Sequence, residues 1–236
     1  MIFDERNILS YFPIVLTAAL GALNDNLIKA VIIVFAAMSV PADQAASVGL
    51  LAGALLMAPY VIFSGWAGIL ADKIEKARLI RVVKWSELGL ATAATGAMLS
   101  GSLPAMLAIV FLLGTQSAFF GPLKLGWLPE RLRPDQLVAA NSWLDTATFL
   151  AILGGTVAGG LLAGADTLAW AGLAAIGLAG LGVATAHALP AGRSAAPELR
   201  MPLNPLAGNW TILRALFADR IAARAAMLDA WFWAAG

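Results

Sequence analysis

Six times along this chain, near residues 11–37, 46–70, 81–100, 104–121, 138–163 and 168–189, an apolar run lasts long enough to cross a bilayer as a helix. About 20 such residues in an α-helix match a hydrocarbon core of roughly 30 Å. Inside hydrocarbon every backbone N–H and C=O must find a partner within the protein, and a helix satisfies its own. The fold class that follows is an all-α membrane protein. Composition agrees, with 61% of the 236 residues hydrophobic and 12% charged, where soluble domains carry about 25% charged.

Several function classes drop out at once. The chain has no cysteine, one histidine (His187) and a formal net charge of +1. A disulfide framework, a thiolate metal site and a histidine-based metal site or triad therefore lack their residues, and no basic excess points to nucleic acid. No metal and no cofactor are expected. The N-terminal "MIFDERNILSYF" mixes charges and leads into an apolar run too long for a signal core, so the first span is expected to stay in the mature chain.

Cytoplasmic loops retain lysine and arginine, so these residues set the orientation. Lys73, Lys76, Arg78, Arg81 and Lys84 follow the second span, Lys124, Arg131 and Arg133 the fourth, and Arg193, Arg200, Arg214, Arg220 and Arg224 the sixth. The opposite connections, near 39–45, 101–103 and 164–167, hold none. With Arg6 in its tail, the N-terminus is expected on the cytoplasmic side. Residues 190–221, rich in proline, alanine and arginine, read as a cytoplasmic linker, part of it an amphipathic helix on the inner surface, or else as a disordered tail. An apolar, aromatic segment at 222–236 reads as the start of a seventh span. The expected division is 1–189, a six-helix half; 190–221, an interhalf linker; and 222–236, the opening of helix 7.

The first span carries an anomaly. "ALNDNLIKAV" puts Asn24, Asp25, Asn26 and Lys29 into an otherwise apolar helix, where one charge at the bilayer centre costs roughly 2.5–3.5 kcal/mol on insertion scales. Asp25 and Lys29 are i and i+4, on one face, and can neutralise each other. They face a cargo or a gate, or they clamp the span to its neighbours. Glu87, one turn from Lys84, reads as half of an interfacial ion pair. Lys124 follows Gly121-Pro122, where the helix is expected to end, and can snorkel to the headgroups. Trp66, Trp85, Trp127, Trp210 and Trp231 read as interfacial anchors, and Asp229 as a helix-terminus acid.

Two resemblances sharpen this picture. "GWAGILADKIEKARLI" after the second span resembles the loop signature of the major facilitator superfamily, whose members pair two six-helix halves built from three-helix repeats. There Gly68 would allow close helix approach, Asp72 would cap a helix or pair with a base, and Lys73, Lys76 and Arg78 would supply cytoplasmic charge, although any cytoplasmic hairpin accumulates such residues. "LGGTVAGGLLAG" in the fifth span, with Gly154, Gly155, Gly159 and Gly160, resembles the superfamily's glycine motif and implies close helix packing. "FLLGTQSAFFGP" in the fourth span lacks the arginine usual in proton-driven exporters, which speaks against proton antiport.

More narrowly, "NDNLIK", "GILADKIEKARLI", "FFGPLKLGWLPERL", "LVAANSWLDTATFLAILGGTVAGG" and "WFWAAG", in that order, resemble the lysophospholipid transporter family of that superfamily. Leu23, Leu125 and Asp145 depart from its usual residues. The resemblance implies the N-terminal half of a transporter in the bacterial cytoplasmic (inner) membrane that moves lysophospholipid to the inner leaflet by alternating access. The implied partners are the cargo, membrane lipids, a C-terminal half, and an acyltransferase or acyl carrier protein synthetase that some relatives carry fused. It also puts Asn141 and Asp145 of the fifth span opposite the first, and Lys124 at the mouth. A phosphate and an ammonium would suit Lys29 and Asp25, with Asn24 and Asn26 as hydrogen-bonding groups. The alternatives are a general small-solute facilitator and the transport half of a bifunctional acyltransferase. The chain itself is not expected to be an enzyme, because "ALPAGR" after His187 offers no acid for a base. If alternating access needs two halves, residues 1–236 in liposomes should not flip lysophosphatidylethanolamine. Saturable flipping by a monomeric chain would contradict that reading.

Overall fold

The computed structural model describes residues 5–235. Met1–Asp4 and Gly236, at the ends of the expected first and last segments, and the side chains of Arg6 and Asp229 lie outside the described residues. Eight α-helices follow one another among the described residues: α1 (Glu5–Met38), α2 (Ala42–Lys73), α3 (Lys76–Leu99), α4 (Leu103–Trp127), α5 (Pro134–Leu161), α6 (Leu168–His187), α7 (Pro205–Ala218) and α8 (Arg220–Ala235). No strand occurs among them, and a short 3₁₀ turn at Ala165–Thr167 precedes α6.

Local chemistry fixes several ends. α4, α5 and α7 carry proline at their first turn, where its missing N–H costs nothing. Glu75 caps α3 by accepting from the backbone N–H groups of Ala77 and Arg78. Asn204 caps α7 through Leu206 N–H at 3.0 Å. Pro122 does not end α4, contrary to expectation: the helix runs on to Trp127. A proline removes one i to i−4 bond and kinks more often than it terminates a helix packed on all sides.

Five helices, α1, α2, α4, α5 and α6, are long and apolar enough to cross a membrane, and the chain is a multi-pass membrane protein. α3 falls short of the expected six by composition, because its first half carries Lys76, Arg78, Arg81, Lys84 and Glu87. It is nonetheless interior, with Ile80, Lys84, Glu87, Ala91 and Ala94 all fully buried.

The most extensive helix contacts are α1 with α5 and α2 with α4, followed by α3 with α6, then α1 with α6 and α3 with α4. Exchanging the first three helices for the second three maps this set onto itself. The α1–α5 seam is made by small residues, as the glycine motif implied, and by two of its four glycines. A Cβ on Gly155 would lie 2.3 Å from the Leu23 carbonyl oxygen, and one on Gly159 2.5 Å from that of Leu27, whereas Gly160 faces open space. Close backbone approach of this kind drives helix association where hydrophobicity cannot.

At one end of the bundle the connections are laced together. Arg131 donates to the carbonyls of Pro190 and Ala191, Gly192 N–H donates to Glu75, and Ala196 N–H donates to the Asp72 carbonyl. The stretch after α6 thus straps the α2–α3 turn to the α4–α5 turn before α7 packs on α2. Gly159→Ala should lower thermal stability in detergent by about 1–3 kcal/mol through overpacking of the α1–α5 seam, while Gly160→Ala stays within about 0.5 kcal/mol of the parent. Equal melting of the two variants would remove the seam's dependence on close approach.

Candidate functional site

A cavity of about 270 Å³ opens among α1, α2, α4 and α5, with Lys84 of α3 reaching its wall. The polar cluster of α1 is divided around it, because successive helical residues turn by 100°. Asp25, Asn26 and Lys29 line the cavity, while Asn24 points the other way, into the bundle.

Each polar side chain of the cluster makes at least one hydrogen bond of its own. Ser117 Oγ of α4 donates to Asp25 Oδ2 at 2.7 Å, and among the described residues the buried Asp25 Oδ1 has no partner. Lys29 Nζ donates to Asn26 Oδ1 at 2.5 Å, and Asn26 Nδ2 donates to the Ala22 carbonyl at 2.7 Å. Asp25 and Lys29 share the cavity, but among the described residues no ion pair joins them. The two remain charged neighbours across the cavity, each with a nearer hydrogen-bonding partner.

Glu87 is the larger surprise. Its pair with Lys84 exists, at 2.6 Å, yet both side chains are fully buried, so the pair is not interfacial. Asn24 Nδ2 of α1 donates to Glu87 Oε1 and Gln116 Nε2 of α4 to Oε2, each at 3.3 Å. The ring of Phe120 lies 4.5 Å from Lys84 Nζ, within reach of a cation–π contact. Glu87 therefore joins α1, α3 and α4 through one carboxylate. Gln116, Ser117 and Tyr60 went unassigned in the sequence, where isolated polar residues on apolar helices give no period to read.

Lys124 lines the cavity from α4, and its charged neighbours are Asp145 and Lys84. Asn141 is half-buried and Asp145 exposed, and neither lines the cavity; α5 contributes Thr148 and Ile152, further along the same helix. Among the described residues no group of His, Cys, Asp or Glu is arranged to hold a metal ion.

The signature loop forms a separate site. Lys76 is 4% exposed and pairs with Asp72 at 3.5 Å and Glu130 at 2.5 Å, so it is a buried link to the α4–α5 turn rather than free surface charge. Lys73 is half-buried and Arg78 exposed. Asp72 takes the pairing role, the cap falling to Glu75. Gly68 faces open space; the close approach is at Gly65, where Asn209 of α7 packs. Trp127 is buried at 2% exposure and not an interfacial anchor, with the Arg131 guanidinium 5.5 Å from its ring. Trp85, Trp210 and Trp231 are exposed.

No protein-family model matches the chain. It is similar over 105 residues to lysophospholipid transporters named LplT: 33% identical to that of Salmonella paratyphi B, covering 42% of this chain and 24% of the relative. To that of Klebsiella pneumoniae it is 32% identical, covering 44% and 25%. The matched part is thus about a quarter of the relatives' length.

Glu87→Ala would strand Lys84, Asn24 and Gln116 in the bundle, a loss of about 3–5 kcal/mol. Yield of monodisperse chain by size exclusion should collapse, and Lys84→Met with Glu87→Met should recover most of it. A well-folded Glu87→Ala variant would show that the carboxylate does not hold the three helices.

Proposed function

We propose that this chain is the N-terminal half of a lysophospholipid transporter and that its cavity receives the lipid's head group. The observation that carries this is the cavity itself, walled by Asp25, Lys29, Lys84 and Lys124 among helices of membrane length. Charges at such depth are costly and mark transport pathways. With Lys84 paired to Glu87, two lysines face one aspartate, an excess of one positive charge that suits a phosphate. The unpartnered Asp25 Oδ1 suits a donor such as the ammonium of a zwitterionic head. A volume near 270 Å³ takes a head group and leaves the acyl chain to the bilayer. The similarity to named lysophospholipid transporters supports the same cargo class.

The finer reading follows the resemblance. α3 crosses as a sixth helix, since it packs against α4 and α6 and its Lys76, Lys84 and Glu87 are buried. Residues 1–189 form a six-helix half of major facilitator type, in keeping with the exchange symmetry of its helix contacts. Residues 190–221, containing α7, link it to a second half that 222–236 begin, and that half completes the cavity for alternating access toward the inner leaflet. The N-terminus and the strapped end are cytoplasmic, following the arginines and lysines. Acyltransferase or acyl carrier protein synthetase partners would consume the delivered lipid.

Lysophosphatidylethanolamine uptake into vesicles bearing the full-length transporter tests the site. Asp25→Ala and Lys29→Ala should each cut uptake about tenfold or more, the scale of a charge-assisted hydrogen bond. The double variant should fold and still fail, having lost both partners of the head group. Uptake restored in the double variant would make Asp25 and Lys29 a helix clamp instead.

A further inference from the structure

We infer that Lys84, held rigid by Glu87, is a second phosphate-binding group of the cavity beside Lys29, and that its fixed N–H donors set the preference for phosphate-bearing lipids over neutral ones. This rests on the head-group reading above and names the residue that would make it selective.

Three features separate Lys84 from Lys29 and Lys124. Its side chain is fully buried, whereas those of Lys29 and Lys124 are half-buried. Its position is over-determined: Glu87 takes its ammonium at 2.6 Å, Phe120 presents its ring at 4.5 Å, and a Cβ on Gly21 would lie 2.2 Å from Nζ. Gly21 is the residue that leaves room for the ammonium at the cavity wall. Finally, its donor capacity is not filled. An ammonium has three N–H groups, and among the described residues Glu87 is the one oxygen partner found for them.

Glu87, by contrast, has a donor on each oxygen, from Lys84, Asn24 and Gln116. It is a positioning residue that fixes Lys84 without reaching the cavity lining. Lys29 is already turned onto Asn26 of its own helix. A buried ion pair adds little net stability over apolar residues of the same size, so its presence on a cavity wall calls for another use. A fixed cation in a site of low dielectric attracts an anion more strongly than a mobile, hydrated one. A phosphate diester entering the cavity would accept from the free N–H groups of Lys84 while Glu87 keeps the ammonium in place.

The test is equilibrium binding to the 236-residue chain in phosphatidylcholine nanodiscs, comparing lysophosphatidylethanolamine with a monoacylglycerol of the same acyl chain. The parent should prefer the phosphate-bearing lipid. Lys84→Gln with Glu87→Gln, which keeps size and replaces the ion pair by two amides, should fold, shown by an unchanged helical circular dichroism spectrum. It should lose that preference by about tenfold or more, with monoacylglycerol binding unchanged. Lys84→Arg should retain most of it. A folded double variant that keeps the parent's preference would overturn the assignment and leave the head-group reading standing. A parent without preference would overturn both.

Discussion

A carboxylate cannot stay charged inside a bundle of apolar helices without donors, and Glu87 draws them from three directions. Lys84 on its own helix, Asn24 on α1 and Gln116 on α4 converge on its two oxygens. Because a stranded partner would be costly, each of these contacts fixes the rotation of one helix about its axis. Apolar packing does this poorly in a membrane, where lipid is as good a solvent for leucine as another leucine is. With Asn24 turned onto Glu87, the 100° step between successive residues carries Asp25 to the cavity and sets it against Ser117. Lys29, one turn on, follows it there. The cavity-lining face of α1 is thus set from behind by a buried ion pair on α3.

The order and approximate extent of the helices were legible in the sequence because length and apolarity are one-dimensional properties. Five of the expected spans have counterparts long and apolar enough to cross a membrane in α1, α2, α4, α5 and α6. α3 escaped that simple measure because Lys76, Lys84 and Glu87 turn inward, and hydropathy cannot tell an inward charge from an outward one. Pro122 misled for a related reason: a proline signal weighs local geometry, whereas Leu123, Trp127 and Leu128, buried beyond it, keep the helix going. The linker's helix was foreseen only as an amphipathic option, and its docking on α2 through Asn209 and Gly65 depends on a contact about 145 residues apart in sequence.

The site was half legible. Asp25, Lys29 and Lys124 stood out because charges in apolar runs are rare, and all three line the cavity. Their partners did not stand out. Ser117 and Gln116 are unremarkable on an apolar helix, and pairing Asp25 with Lys29 followed from i, i+4 spacing, which says that two side chains share a face and not that each is the other's nearest partner. Asn141 and Asp145 were chosen by polarity on the right helix, whereas the cavity meets α5 at Thr148 and Ile152. The loop signature shows the same limit. Lys76 was read as surface charge, yet Glu130, 54 residues later, draws it into the interior.

The pattern of exposure carries the exchange of helices one step further. Of the apolar windows in the five membrane-length helices, those of α1 and α4 are each 44% buried, while those of α2 and α5 are 11% and 22% buried. These are the pairs that the exchange of the first three helices for the second three would equate. α1 and α4 supply Asp25, Lys29, Ser117 and Lys124, so the helices that bring charge to the cavity are also those most held by the bundle. α2 and α5 meet them in the two most extensive seams of the bundle and still turn much of their length outward, with Leu50, Val61, Leu150 and Leu153 exposed. Buried charge demands rigid surroundings, because every partner lost strands a polar atom, whereas an outward apolar face tolerates sliding at little cost. The division between helices that hold buried charge inside the bundle and helices that turn apolar faces outward is therefore what the electrostatics of Glu87 and Asp25 require.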